Sequence, residues 1–506
     1  MCLTGRVPAP QACQLQGQRS YRTCYPGGII VVNHVLHEIL HPRSIAVVGA
    51  SVSGPGWRFL LPLLRRGFEG KLYPVNPKYQ EIGGLKCYAS VAEIPDTVDY
   101  IISVVPAPLV PNLIRDAATK GTKAIHLFTA RFSETGRPQA AQMEREMLGL
   151  AKQYGIRIIG PNCMGVYYPA WGISFEEDFP LEPGKVAFIS QSGNLAGEAV
   201  RSAVLRGIRF SKVISYGNAI DLNECDYLEY LLQDPETAVI LMYMEGVKDG
   251  RRFVSVLRQA TKVRPVVILK GGRGEAGARA TSSHTASLAG SVEIWEAALE
   301  QTNAIGVDSI EELVDMAVTF NSLPPLKGKR VGVTGGAGGA SVLAADQCEM
   351  AGLEVVPLSP EFREQLKSRG ISVWDWLSNP ADLSIREDES LTVKVILELM
   401  SQDPNFDLLI LMLHVHRHGD QPEMTLDDFL KQHQLEGFET VATKPLLAVV
   451  PERSFGIEEW DSVEWKLACE LRSRLISSGI PFYPTVYRAA LAARRAADYY
   501  ARLNGR

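Results

Sequence analysis

No stretch of this 506-residue chain carries the roughly 18 consecutive apolar residues that a membrane-spanning helix needs. Charge of one sign is not in excess either. Lys and Arg number 52 and Asp and Glu 57, for a net charge of −5, and the signs are interspersed. No basic face therefore points to nucleic acid. The eight cysteines (Cys2, Cys13, Cys24, Cys87, Cys163, Cys225, Cys348, Cys469) include no CxxC pair and no Cys/His cluster. That argues against a zinc site and a disulfide framework and fits a reducing compartment, so a cytoplasmic location is expected. The first 28 residues, MCLTGRVPAPQACQLQGQRSYRTCYPGG, lack the apolar core of a signal peptide and show no periodicity. They are expected to be a poorly ordered extension, with folded structure beginning near Val31.

What is present is ordinary for a soluble globular protein: 46% hydrophobic and 22% charged residues. The length predicts about three domains. From His41 to Pro169 the pattern strand, Gly turn, helix repeats. SIAVVGA, KLYPVNP, YIISVV, KAIHLFT and RIIGPN are the expected strands. Short apolar runs ending in turn residues read as parallel strands buried on both faces, so this is a doubly wound α/β domain. An acidic, proline-bearing linker follows at 174–184. A second α/β unit takes KVAFIS, KVISYG, AVILMYMEG and PVVILKGG as strands, and NSLPPLKGK (321–329) is a second linker. A third unit opens at RVGVTGGAGGASVLAADQCEMAGLEVV, in the same order as the second: basic residue, strand, Gly/Ser loop, small-residue helix, Gly, strand. LLILMLHV, PLLAVV and a terminal strand and helix complete it. The expected boundaries are 31–172, 183–322 and 328–506, after the 1–28 extension.

Three Gly-rich turns are placed to hold anions. VVGASVSGPG joins the first strand to the first helix, so backbone N–H groups approach a phosphate at the helix start. The end of strand two reads Pro74-Val75-Asn76-Pro77-Lys78. It lacks the acid that a nicotinamide cofactor's ribose would require, which argues against an NAD oxidoreductase and fits a nucleotide with extra phosphate. VVPAP (104–108) and GPNCMG (160–165) mark further loops on the same cleft. The second and third units open with Ser190-Gln191-Ser192-Gly193-Asn194 and Thr334-Gly335-Gly336-Ala337-Gly338-Gly339, each a helix start with unpaired N–H groups. Two such starts in paired repeats point to a phosphoryl group held from both sides.

Only nine histidines occur, and one of them, His284, stands in TSSHTAS, among small hydroxyl-bearing residues. Imidazole is a good phosphoryl acceptor near neutral pH, and small neighbours leave room for phosphate and for movement. A surface or helix-capping histidine is the plainer reading. A phosphoryl-carrying ring needs a carboxylate to fix its tautomer, and Glu245, ending the strand AVILMYME, is the best placed. HVHRH puts His414, His416 and His418 at alternate positions, but no carboxylate or Cys stands at suitable offsets, so no metal site is expected.

These residues together carry a resemblance. The chain from about Val31 to Leu503 resembles the α subunit of ADP-forming acetate–CoA ligases, relatives of succinyl-CoA synthetase. The matching stretches, in family order, are IAVVGAS, YPVNPKYQEIGGLKCYASVAEIPDTVD, the PAP of VVPAP, GIRIIGPNCMGV, ISQSGNLAG, YGNAID, YMEGVKDGRRF, SSHTASLAGS, GGAGG and NPADL.

The resemblance implies a Rossmann-like CoA-binding domain followed by two flavodoxin-like domains. It implies that His284 is a phosphohistidine and Glu245 its carboxylate partner. Ser192, Gly193 and Asn194, and Gly336, Ala337 and Gly338, would face phosphate. Gly49, Ala50, Ser51, Asn76, Pro77, Lys78, Val105, Pro106, Ala107, Pro108 and Asn162 would contact CoA. Thr129, Arg131 and Asn218 would line the acyl site. The implied reaction interconverts acid, ATP and CoA with acyl-CoA, ADP and phosphate. ATP and Mg would bind a separate ATP-grasp β subunit, in an α2β2 assembly.

One departure stands out: FTARFSETG has Arg131 where the family usually carries Gly. Either this cation binds a second anionic group on the acid, such as a carboxylate or sulfonate, or the Arg points to solvent or pairs with an acidic side chain. Competing readings of the same fold are an acyl- or carbamoyltransferase-like protein, which would not need His284, and a CoA sensor, which would not need both phosphate-facing turns.

Overall fold

The computed structural model describes residues 11–15, 18–25, 28–32, 34–277, 279, 291–382, 390–415, 424–432, 434–451 and 462–505, and before residue 34 the backbone alone. The chain divides into two compact units, residues 1–204 with 208–313 and residues 205–207 with 314–506.

At the start, where a poorly ordered extension was expected, β1 (Gln11–Leu15), β2 (Gln18–Tyr25) and β3 (Gly28–Val32) form an antiparallel sheet. Leu15 pairs with Gln18, and Tyr25 pairs with Gly28.

The first domain's sheet is β4 (Ser44–Val48), β5 (Lys71–Val75), β8 (Tyr100–Ser103), β9 (Ala124–Leu127) and β10 (Arg157–Ile159). A small hairpin, β6 (Glu81–Ile82) and β7 (Leu85–Lys86), forms a two-stranded sheet, and Tyr88 just beyond it bridges to Val75 of β5. The sheet order is β10-β9-β8-β4-β5, all parallel. The order reverses at β4, so the loops after β4 and β8 flank the switch point where ligands of doubly wound sheets bind. The buried strand residues are mostly apolar because helices cover the sheet. Ala46, Ile101, Ile125 and Ile158 pack with Val110, Ile114, Ala117 and Met147 of the covering helices 110–119 and 138–153.

The second domain belongs to the same unit. Its sheet runs β11-β13-β12-β14-β15-β16: β11 (Gly165–Tyr167), β12 (Val186–Ser190), β13 (Phe210–Ser215), β14 (Val239–Met244), β15 (Val266–Lys270) and β16 (Ile305–Val307). Only β11 is antiparallel. Local sequence sets the helix boundaries. Asn223 and Asp226 cap helix 224–233 reciprocally, and Asp249 accepts from the Arg252 N–H at the start of helix 250–263.

The other unit holds a four-stranded parallel sheet, β17 (Val331–Thr334), β18 (Leu408–Met412), β19 (Leu446–Val449) and β20 (Phe482–Tyr483), in that order. The expected strand LEVV is reduced to a bridge between Glu354 and Arg330. Pro357 follows at once and removes the next donor.

Candidate functional site

The predicted CoA loop is built around Asn76. Its side chain donates to Ala50 O (2.7 Å) and accepts from the Lys78 N–H (3.0 Å), tying the turn after β4 to the end of β5. Asn76 therefore organises the cleft, while Lys78 is exposed and carries the cation. Gly49 has φ +88°, and a Cβ there would meet Val104 Cγ2 at 2.7 Å, so this turn admits only glycine. Helix 54–65 begins without a side-chain cap, with Pro at its first turn, leaving its N–H groups to solvent or an anion. Across the switch point, Val105 O accepts from Thr129 Oγ1 (2.6 Å), and Pro106 and Pro108 are exposed beside Ala107.

Three loops converge on the predicted acyl site. Asn162, with φ +60°, donates its N–H to Thr129 O (2.9 Å) and lies 3.5 Å from Asn218 Oδ1 through its own amide. Asn218 is buried and donates from Nδ2 to Glu134 Oε2 at 2.7 Å. Glu134 also accepts from the N–H groups of Arg131 and Phe132. Lys248 Nζ donates to Asn218 O and Ala219 O, both at 2.8 Å. Arg131 itself has φ +77°, is exposed, and forms no ion pair among the described residues. Its position calls for glycine conformationally, and the chain carries a cation there instead. Glu134 and Lys248 were missed in the sequence, although both lie inside the motifs FSETG and MEGVKDG.

The first of the turns predicted to face phosphate and the predicted carboxylate are brought together. β12 and β14 are neighbours, so Ser190 pairs with Tyr243. The Gln191 side-chain oxygen accepts from the Glu245 N–H and from the Gly246 N–H (3.1 Å). Glu245 is buried, 7% exposed. Tyr243 Oη donates to its Oε1 at 3.2 Å, and Lys270 Nζ donates to its backbone oxygen at 2.7 Å. Burial lowers the Lys270 pKa, with Glu245 opposing and Arg273 adding to the shift. Ser192 Oγ caps helix 193–204 at the Leu195 N–H (3.3 Å), and Gly193 fits against Met164, whose Cγ a Cβ would meet at 2.4 Å. Asn194 is exposed. His284, His416 and His418 lie outside the described residues.

In the other unit, Gly335 (φ +94°) turns the chain after β17, and Ala337 precedes helix 338–350 without a side-chain cap. A Cβ on Gly338 would lie 3.3 Å from Asp382 Oδ2, so a carboxylate of the NPADL motif stands beside this helix start. Gly336 and Ala337 are held between Thr334 and that helix.

Comparison with known proteins bears on the domains that carry these residues. The model of a CoA binding domain matches residues 43–169, and that of a succinyl-CoA ligase like flavodoxin domain matches residues 183–320. The chain is 41% identical over 380 residues to the alpha subunit of acetate–CoA ligase [ADP-forming] II of Pyrococcus furiosus, covering 74% of this chain and 82% of that one.

The chain belongs to the ADP-forming acetate–CoA ligase family.

It is 38% identical over 381 residues to acetate–CoA ligase [ADP-forming] I of Archaeoglobus fulgidus, covering 75% of this chain and 55% of that longer relative. Acetyl-coenzyme A synthetase 1 of Ca. Korarchaeum cryptofilum, solved in complex with phosphate and ADP, superimposes with a TM-score of 0.76 at 31% identity. That match covers 93% of this chain and 97% of the other. Within the ligase family's own frame, the Asn76 loop, Thr129, Arg131 and Asn162 fall in the CoA-domain match. Ser192 to Asn194, Asn218 and Glu245 fall in the ligase-domain match. The Gly336 turn lies beyond both.

Proposed function

We propose that this chain is the CoA- and acid-handling α subunit of an ADP-forming acyl-CoA synthetase. Phosphate attacks the thioester carbonyl, the C–S bond breaks, and CoA leaves as the thiol with acyl phosphate formed. The His284 imidazole then attacks phosphorus, the P–O bond to the acyl group breaks, and the acid leaves as carboxylate. ADP finally takes the phosphoryl group from His284, and every step runs in reverse for acyl-CoA synthesis.

The observation that supports this most strongly is the adjacency of Glu245 to the Ser192–Asn194 helix start. A buried carboxylate next to a helix N-terminus suits a phosphorylated imidazole: the Gly193 and Asn194 N–H groups take the phosphoryl oxygens and the carboxylate takes the ring N–H. The CoA loops at Gly49 to Ser51, Asn76 to Lys78 and Val105 to Pro108 would hold the nucleotide end, with Asn162 closing the cleft. Thr129 and Asn218 would orient the acyl group. The exposed Arg131 guanidinium favours a short organic acid that carries a second anionic group. Gly336 to Gly338 offer the phosphate contacts of the other ligase domain. ADP, ATP and Mg belong to a separate ATP-grasp β subunit in an α2β2 assembly, in keeping with the alpha-subunit naming of the Pyrococcus relative.

The test is turnover with and without that partner. The purified chain binds CoA but forms no acyl-CoA from ATP, and adding the β subunit restores ADP formation coupled to acyl-CoA. Normal turnover by the chain alone overturns the two-subunit reading.

A further inference from the structure

We infer that Tyr243 is a positioning residue that fixes the Glu245 carboxylate in the phosphoryl-transfer site. The inference rests on the role proposed above for Glu245. Tyr243 is the penultimate residue of β14 and Glu245 the first residue beyond it, two positions on, and their side chains meet. Two clamps fix the Glu245 backbone: Gln191 accepts from its N–H, and Lys270 donates to its carbonyl. Neither reaches the carboxylate. The Tyr243 hydroxyl does, donating to Oε1 at 3.2 Å.

The neighbouring strand makes room for this hydroxyl. A Cβ on Gly271, just past β15, would stand 2.6 Å from Tyr243 Oη. Gly271 has ordinary backbone angles, so close approach, not conformation, demands glycine here. Burial and the Glu245 charge both raise the Tyr243 pKa, keeping the phenol protonated and able to donate throughout the neutral range. A donated hydrogen bond favours the charged form of a carboxylate and sets its direction.

The experiment labels the full chain with acetyl-CoA and radiolabelled phosphate and follows the rate of label uptake as acetyl-CoA is varied. In Tyr243→Phe the Glu245 carboxylate loses the donor at Oε1 that sets its direction. The expected loss is about tenfold in the maximal labelling rate, with the half-saturating acetyl-CoA concentration unchanged. Gly271→Ala pushes the hydroxyl aside and gives the same split, which keeps the test open if Tyr243→Phe folds poorly. No loss of maximal rate, or a loss carried by acetyl-CoA saturation, in the folded variants overturns the inference. Absence of label in the wild-type chain overturns the functional reading itself and is distinguishable on that ground.

Discussion

Replacing Arg131 by glycine should make the protein more stable and change which acid it prefers. Arg131 sits at φ +77°, a conformation costing an L residue about 1–2 kcal/mol. Glycine removes that cost but adds freedom to the unfolded chain, worth about 0.5–1 kcal/mol in the opposite direction. The exposed guanidinium forms no ion pair among the described residues, so little native contact is lost. The N–H bond to Glu134 survives in glycine. The net gain is about 0.5–1 kcal/mol, measurable as a shift of the urea midpoint at constant slope. Arg131→Ala keeps the backbone cost and gains no stability. Both variants lose the cation, so both shift relative rates toward acetate and away from dianionic acids. Equal stabilisation by alanine and glycine refutes the strain reasoning. Unchanged relative rates on acetate and a dicarboxylate refute the assignment of Arg131 to the acyl site.

Other outcomes follow from buried charge. Asp315, 3% exposed, accepts from Arg206 Nη1 (3.0 Å) and Arg488 Nε (2.6 Å). Asp315→Ala removes the buried carboxylate that both guanidiniums share and costs about 3–5 kcal/mol by denaturant titration, whereas a loss below about 1 kcal/mol contradicts that role. His126 is fully enclosed, and burial lowers its pKa to about 4, against 6.5 when unfolded, despite its contact with Cys163 O at 3.0 Å. The unfolded chain protonates first, so this contribution is complete above pH 6.5 and is lost as pH falls toward 4, up to about 3 kcal/mol. His126→Gln therefore flattens stability against pH in that window, and an unchanged slope counts against it.

Much of the architecture was legible because parallel strands covered on both faces read as unbroken apolar runs, as in SIAVV and VILMYM. The edge strands Gly165–Tyr167 and Ile305–Val307 are three residues long and carry no such run, so they escaped notice. LEVV has the composition of a strand but meets Pro357 too soon to extend its pairing. At the site, Glu245 and the Ser192 turn were recognisable from position at strand ends. Their contact through Gln191 was not, because it depends on β12 lying beside β14, an order that local sequence does not encode. The same holds for Glu134, which joins Asn218 from a residue 84 positions away. The left-handed backbone of Arg131 was visible only as a departure from an expected glycine.

The most direct measurement is covalent. Incubating the chain with acyl-CoA and radiolabelled phosphate should leave a protein-bound label that acid removes and base spares, present in the wild type and absent in His284→Ala. Label that persists in His284→Ala, or none in the wild type, would contradict phosphoryl transfer through His284.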